Sequence, residues 1–233
     1  MAVTEHWVAS QHQNHNIAFA RFAGEAWLLD GRGVAYWPKT DTLVVSDLHF
    51  EKGSYLYSRG NPLPALDTVA TIKRLSQIVS DYQPSRVISL GDSFHDRQSV
   101  ARMNESDKTR LFSLINSVPD WVWVEGNHDP ELPEILPGSA CHSLKDSHLT
   151  FRHEPAQSEA VQIIGHYHPK TMKQLARRRF SGKCFVLTPS LMIMPAFGQY
   201  TGGLSVDDEV LLALAPATNR QCYLVYDGRV VKC

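Results

Sequence analysis

The sequence predicts an α/β fold in which a largely parallel sheet is followed by a second, mostly β half. Three observations lead there. Apolar runs at 43–45, 86–90 and 121–124 alternate with two segments of helical periodicity, the pattern of right-handed β-α-β units. After Pro130 that periodicity stops, and short apolar runs broken by Gly and Pro take over. Five apolar runs also end in Asp, Asn or His, and in open α/β sheets sites form outside the carboxyl ends of strands.

Taken in order, residues 1–16 are polar and read as a loose lead-in to one domain spanning 1–233. Ala26-Trp27-Leu28-Leu29 and Val34-Ala35-Tyr36-Trp37 flank Asp30-Gly31-Arg32-Gly33, a hairpin around a glycine-bearing turn. The strand Leu43-Val44-Val45 runs directly into Ser46-Asp47-Leu48-His49. Residues 50–63 hold Gly53, Gly60 and Pro62 and read as a loop. From Pro64 to about Tyr82, Leu66, Val69, Ile72, Leu75 and Ile78 recur at helical spacing, with proline at the start. Arg86–Leu90 is a buried strand leading into Gly91-Asp92. A second helix covers 105–116, capped by Asn104, with Leu111, Phe112, Leu114 and Ile115 inward. The strand Trp121–Val124 then meets Glu125-Gly126-Asn127-His128. Beyond a Pro-rich loop, strands are predicted at 148–151, 161–164, 184–187, 209–214, 221–226 and 229–232, with a turn at Asp227-Gly228. They would form a second sheet packed on the first, with Met192 and Met194 in it.

At 233 residues the chain can bury a substantial single core. With 23 basic and 24 acidic residues the net charge is −1, so a polyanionic partner would need a local basic patch. Cys141, Cys184, Cys222 and Cys233 form no CxxC pair and read as free thiols in a reducing compartment. There is no basic-then-apolar leader and no run of the roughly 20 apolar residues that span a bilayer. A cytoplasmic protein without membrane attachment is expected.

The five strand ends carry the chemistry. They are Val45 before Asp47 and His49, Leu90 before Asp92, Val124 before Asn127 and His128, Phe151 before His153, and Ile164 before His166 and His168. Alone, Asp-x-His is more often an exposed turn than a ligand, and Gly-Asn-His-Asp consists of turn residues. Their joint occurrence at strand ends is the signal. Carboxylate and amide oxygens combined with imidazoles suit Mn²⁺, Fe or Zn²⁺ better than Ca²⁺ or a thiolate site.

The order Asp47-x-His49, Gly91-Asp92, Gly126-Asn127-His128-Asp129, His153, Gly165-His166-x-His168 resembles the calcineurin-like metallophosphoesterase superfamily. The resemblance implies a four-layer α-β-β-α sandwich of two mixed sheets with a two-metal site at one edge. It assigns one ion to Asp47, His49, Asp92 and His168, and the other to Asp92, Asn127, His153 and His166, with Asp92 bridging. Two cations about 3.5–4 Å apart clamp the attacking and leaving oxygens of an in-line displacement and acidify bound water, so no separate protein base is needed. His128 is implied as a catalytic residue that stabilises the phosphorane or protonates the leaving oxygen.

Where phosphoprotein phosphatases of that superfamily carry an Asp that orients the catalytic His, this chain has His95, followed by Asp96 and Arg97. Gly-Asp-x-Phe-His is instead similar to a nuclease branch, where the His lies near the metals; the plainer role for His95 is a hydrogen bond behind the ligands. Residues 189–203 (PSLMIMPAFGQYTGG) and Asp47 to Gly53 resemble the bacterial DNA-ligase-associated metallophosphoesterases. That likeness implies a DNA-repair endonuclease or phosphodiesterase, and DNA ligase or helicase as partners.

One feature is independent of resemblance. Lys170, Lys173, Arg177, Arg178, Arg179 and Lys183 fall in one segment without an acidic residue, suited to DNA phosphates or merely a solvated surface. Lys52 and Arg97 are further candidates for phosphate contact. Three functions remain open from sequence: a dimetal phosphodiesterase on DNA, a dimetal enzyme with a small substrate such as a nucleotide pyrophosphate, cyclic nucleotide or phosphomonoester, and a metal-free scaffold.

Overall fold

Residues 3–61, 66–175 and 177–233 are described by the structure, a computed structural model. The first sheet contains β1 (Ile17–Phe22), β2 (Glu25–Asp30), β3 (Val34–Trp37), β4 (Thr42–Val45), β5 (Arg86–Leu90), β6 (Asp120–Val124) and β7 (Ser139–Cys141), adjacent in that order. β1 to β4 pair antiparallel, whereas β4 to β7 pair parallel. The parallel strands β4 to β6 are apolar almost throughout because both of their faces are covered.

One face of this sheet packs on helices. α1 (Glu5–Gln13), α2 (Lys52–Ser58), α3 (Asp67–Tyr82), α4 (Ser99–Arg102) and α5 (Glu105–Asn116) precede β6 in the chain. Ile72, Leu75 and Ile78 of α3 and Leu111 and Ile115 of α5 meet Leu43, Val45, Val87 and Trp121. The other face, with Trp27, Trp37, Val44, Ile88 and Val122, meets Phe151, Ile163, Phe185, Met192 and Met194 of a second sheet.

The second sheet follows from β8 (Leu144–Asp146), β9 (Leu149–Phe151), β10 (Gln162–Ile164), β11 (Lys170–Leu175), β12 (Arg178–Leu187), β13 (Leu191–Ile193), then α6 (Glu209–Leu214), β14 (Gln221–Tyr226) and β15 (Arg229–Lys232). Its order is β15-β14-β12-β13-β10-β9-β8; β11 lies off this path, paired to β12 and bridged at Lys170 to Ser205. Leu211 and Ala215 cover its outer face against Ile164, Val186 and Ile193. The layers are therefore α-β-β-α, as the resemblance implied.

Several expectations change. The supposed lead-in holds α1, whose Thr4 caps the Trp7 N–H at 3.2 Å and whose Trp7 packs edge-on against Tyr82. Half of the 50–63 loop is α2, which Glu51 anchors by accepting from Ser54 Oγ and Thr68 Oγ1. The strand predicted at 209–214 is α6, because Asp208 caps the Val210 N–H at 3.0 Å and Leu and Ala favour the helix. Among the described residues α3 starts at Asp67; the predicted start at Pro64 lies outside them. No helix among the described residues is long and apolar enough to cross a membrane.

Candidate metal centre

The loops that follow β4 and β5 stay paired past the strands. Asp47 N–H donates to Gly91 O, His49 N–H to Asp92 O, Phe50 N–H to Ser93 O and His95 N–H to Phe50 O. This zipper brings Asp47, His49, Asp92 and His95 to one edge. Asp47, His49, Asp92, His166 and His168 all hold positive φ, between 45° and 69°. Non-glycine residues avoid that region, and each such strain costs on the order of 1–3 kcal/mol. Two close approaches complete the framework. A Cβ on Gly91 would stand 2.4 Å from His153 Nδ1, and one on Gly165 would stand 1.9 Å from Ser46 Oγ.

The candidate ligand atoms converge in two groups. Asp47, His49 and His168 place their donor atoms within 4.8 Å of one another, as do Asp92, His153 and His166. In the first group His168 Nε2 lies 3.1 Å from Asp47 Oδ1 and 3.4 Å from His49 Nε2. In the second, Asn127 Oδ1 is 2.9 Å from His153 Nε2 and 3.0 Å from His166 Nδ1. Asp92 Oδ2 stands 3.4 Å from His153 Nε2 and 4.0 Å from His49 Nε2, so it faces both groups.

The donor set fits divalent cations. His153 Nδ1 bonds the Leu90 carbonyl at 3.0 Å, which turns Nε2 toward two oxygens and the His166 imidazole. Burial would lower the His153 pKa, but Asp92, Asp47 and the Leu90 carbonyl outweigh it and hold the ring up to about 9. A proton then sits where a cation would otherwise satisfy the same lone pairs, and metal binding must displace it. His49 is pushed down to about 3 by burial despite Asp47 and Asp92. Its neutral ring faces the His168 nitrogen, as a ligand should. Burial would raise Asp92, yet its contacts with His153 and the His128 N–H keep its carboxyl well below the usual range.

His128 is aimed by backbone. Its Nδ1 bonds the His95 carbonyl at 2.9 Å and its N–H donates to Asp92 Oδ1 at 2.9 Å. Nε2 is left 4.0 Å from Asp92 Oδ2 on a side chain 41% exposed, whereas Asp92 is only 4% exposed. That atom is accessible for proton transfer. The His95 ring stacks on His128, with centroids 5.1 Å apart, and packs against Tyr55. Burial lowers it to about 4, so it stands beside the site as a neutral imidazole.

Among the candidates for substrate contact, Lys52 is brought to the site. It lies within electrostatic reach of Asp92, Asp67 and Asp47, and burial lowers its pKa. Arg97 is exposed and pairs with Glu131 at 3.9 Å. The basic segment forms a β11–β12 ribbon in which Lys170 opposes Lys183 and Leu175 opposes Arg178. Arg177, Arg178 and Arg179 are exposed near its tip, Lys173 donates to the Lys232 carbonyl, and Lys183 turns inward to the Ala196 and Gly198 carbonyls.

Sequence reasoning missed residues that hold the framework. Asp129 accepts from Gly126 N–H and Phe94 N–H, both at 3.0 Å, and ties the β6 loop to the β5 loop. Burial raises its carboxyl to about 7. Ser46 Oγ donates to Asp47 Oδ2 at 2.5 Å. Glu154 stands 3.5 Å from His166 Nδ1 at the rim. Adjacency to a ligand was the signal available for Asp129, Ser46 and Glu154.

Residues 40–178 match the family model for calcineurin-like phosphoesterases. Among solved structures, the nuclease MPE of Pseudomonas putida is similar with a TM-score of 0.72 and 25% identity, over 94% of this chain and 100% of that one. Vps29 of Entamoeba histolytica, solved with zinc, has a TM-score of 0.35 and 13% identity over 82% of this chain and 96% of that one. No curated protein sequence matches the chain. The matched segment exceeds half of the chain and holds all the strand-end ligands; the chain belongs to the calcineurin-like phosphoesterase family and is a metal-dependent phosphoesterase.

Proposed function

We propose that this chain hydrolyses phosphodiester bonds of DNA, in a repair setting, using two divalent cations with Mn²⁺ preferred over Fe or Zn²⁺. Asp47, His49, Asp92 and His168 would hold one ion and Asp92, Asn127, His153 and His166 the other, with Asp92 shared. Bound there, the ions would supply Lewis acidity toward phosphoryl oxygens and an acidified water.

The chain's own residues orient and exchange protons. His128 Nδ1–H is donated to the His95 carbonyl, which leaves Nε2 as the atom that takes up a proton from solvent or the attacking water and, as imidazolium, passes it to the departing oxygen. Lys52 adds positive charge on the Asp92 side for the non-reacting phosphate oxygens. The His95 ring fixes the plane of His128 by stacking.

The ribbon carries the DNA reading. Its strand Lys170–Leu175 extends roughly 16 Å at ~3.3 Å per residue, and Arg177, Arg178 and Arg179 lie at the end away from Lys170. A small substrate at the ligands cannot reach three arginines at that distance, whereas a DNA backbone can. The similarity to a solved nuclease supports the same reading. An assay with added Mn²⁺ on bis-aryl phosphate, mono-aryl phosphate, cyclic nucleotides and single-stranded or nicked DNA tests it. Cleavage of DNA and of the bis-aryl ester is expected; activity confined to monoesters would refute it and favour the small-substrate reading.

A further inference from the structure

Behind the metal centre, Arg32, Arg74 and Lys183 line a cavity of about 260 Å³ closed by Gly31, Pro195 and Ala196. The three cations differ in one respect. Arg32 is neutralised by Asp30 at 2.7 Å and by Asp81. Arg74 and Lys183 have no carboxylate partner among the described residues. Arg74 lies over the Phe197 ring at 3.7 Å and gives one hydrogen bond, from Nη2 to the Phe197 carbonyl, while its buried Nε has none. Lys183 Nζ donates to the carbonyls of Ala196 at 2.7 Å and Gly198 at 2.8 Å. Both side chains are half-buried, and a partly desolvated charge without a counter-charge is costly. Burial lowers Arg74 to about 10, and burial together with the charge of Arg74 lowers Lys183 to about 8. The two cations thus sense one another across a space lined by no acid.

The cavity is joined to the catalytic edge. Phe197 and Gly198, whose carbonyls the cations hold, donate their N–H groups to Ser46 O at 2.8 Å and Asp47 O at 2.9 Å. We infer that the cavity between Arg74 and Lys183 is a phosphate-binding site, distinct from the metal ligands, that takes a second phosphate of the polynucleotide substrate. Two converging donors of positive charge suit a phosphate oxygen pair. The polynucleotide as source rests on the nuclease reading; the phosphate chemistry does not.

Titration calorimetry of inorganic phosphate into the metal-loaded full chain tests the site. Wild type is expected to bind one phosphate more per chain than Arg74→Gln, or to bind it roughly tenfold more tightly, the worth of one charge-assisted contact. Arg74→Lys, which keeps the charge, should recover part of the binding and serves if Arg74→Gln fails to fold. Identical isotherms for wild type and a folded Arg74→Gln would overturn the site. The source is read from kinetics. KM for a 12-mer oligonucleotide should rise roughly tenfold in Arg74→Gln, with KM for bis(p-nitrophenyl) phosphate unchanged, because that diester has a single phosphate. Lost phosphate binding with unchanged oligonucleotide KM would overturn the polynucleotide as source and assign a free anion. If the chain cleaves no DNA, the calorimetry still decides the site by itself.

Discussion

The metal centre and the β11–β12 ribbon are two residues apart in the chain, at His168 and Lys170, yet they are held in opposite ways. Asp47 is held by Ser46 and the His166 N–H, Asp92 by the His128 N–H, and His153 by the Leu90 carbonyl. Positive φ at five ligand residues is tolerated because this network over-determines it. At the far end of the ribbon, by contrast, β11 and β12 pair with each other, Leu175 opposite Arg178, and the three arginines are exposed without ion pairs among the described residues. Chemistry at phosphorus needs atoms placed within a fraction of an ångström. Attraction of a charged backbone needs positive potential near its path, and an exposed ribbon end suffices for that.

The sharpest way to break this contrast is at Asp92. Asp92→Asn removes the charge facing both ligand groups and is expected to strip bound metal, read by elemental analysis, and to cut turnover by at least ~10³-fold. Unchanged metal content would remove Asp92 from the centre. His128→Ala should keep the metal and lose about 10²–10⁴ in turnover; metal loss equal to that of Asp92→Asn would merge the two roles. Chelation of the ions should lower Tm by about 5–10 °C, because a ligand at a hundredfold excess over Kd stabilises by about 2.7 kcal/mol and a chain of this size shifts about 2–4 °C per kcal/mol. An unchanged Tm would mean that the framework holds without them.

At the ribbon, replacing Arg177, Arg178 and Arg179 together by Ala should flatten the log-log salt dependence of duplex binding by about 2.7, ~0.9 per contact, with metal content intact. An unaltered slope would return the arginines to plain surface. The smallest effect is expected at His95. His95→Ala keeps the carbonyl that orients His128 and removes only the stacked ring, so a loss of roughly tenfold is expected. A loss as large as that of His128→Ala would put the imidazole itself in the reaction.

The parts of this molecule readable from sequence are those where one residue type at one strand end has one use. Asp47, His49, Asp92, Asn127, His153, His166 and His168 all meet at one edge because strand ends in such a sheet do. What escaped was either too short to show a period or decided by partners distant in the chain. α6 is a helix although Glu209-Val210-Leu211-Leu212-Ala213-Leu214 is too short for its periodicity to separate helix from strand. α2 depends on Glu51 meeting Thr68 seventeen residues away. Lys183 belongs by sequence to the basic segment, but its place in β12 turns it inward, and no local pattern announces that.

The candidate ligands also come from both sheets. Asp47, Asp92 and Asn127 follow β4, β5 and β6, whereas His153, His166 and His168 follow β9 and β10. Cations bound there would clasp the open edge of the sandwich. Amide hydrogen exchange at the ends of β9 and β10 should then slow to the rate of global unfolding in the loaded protein, and in the stripped protein this edge should be the first to breathe.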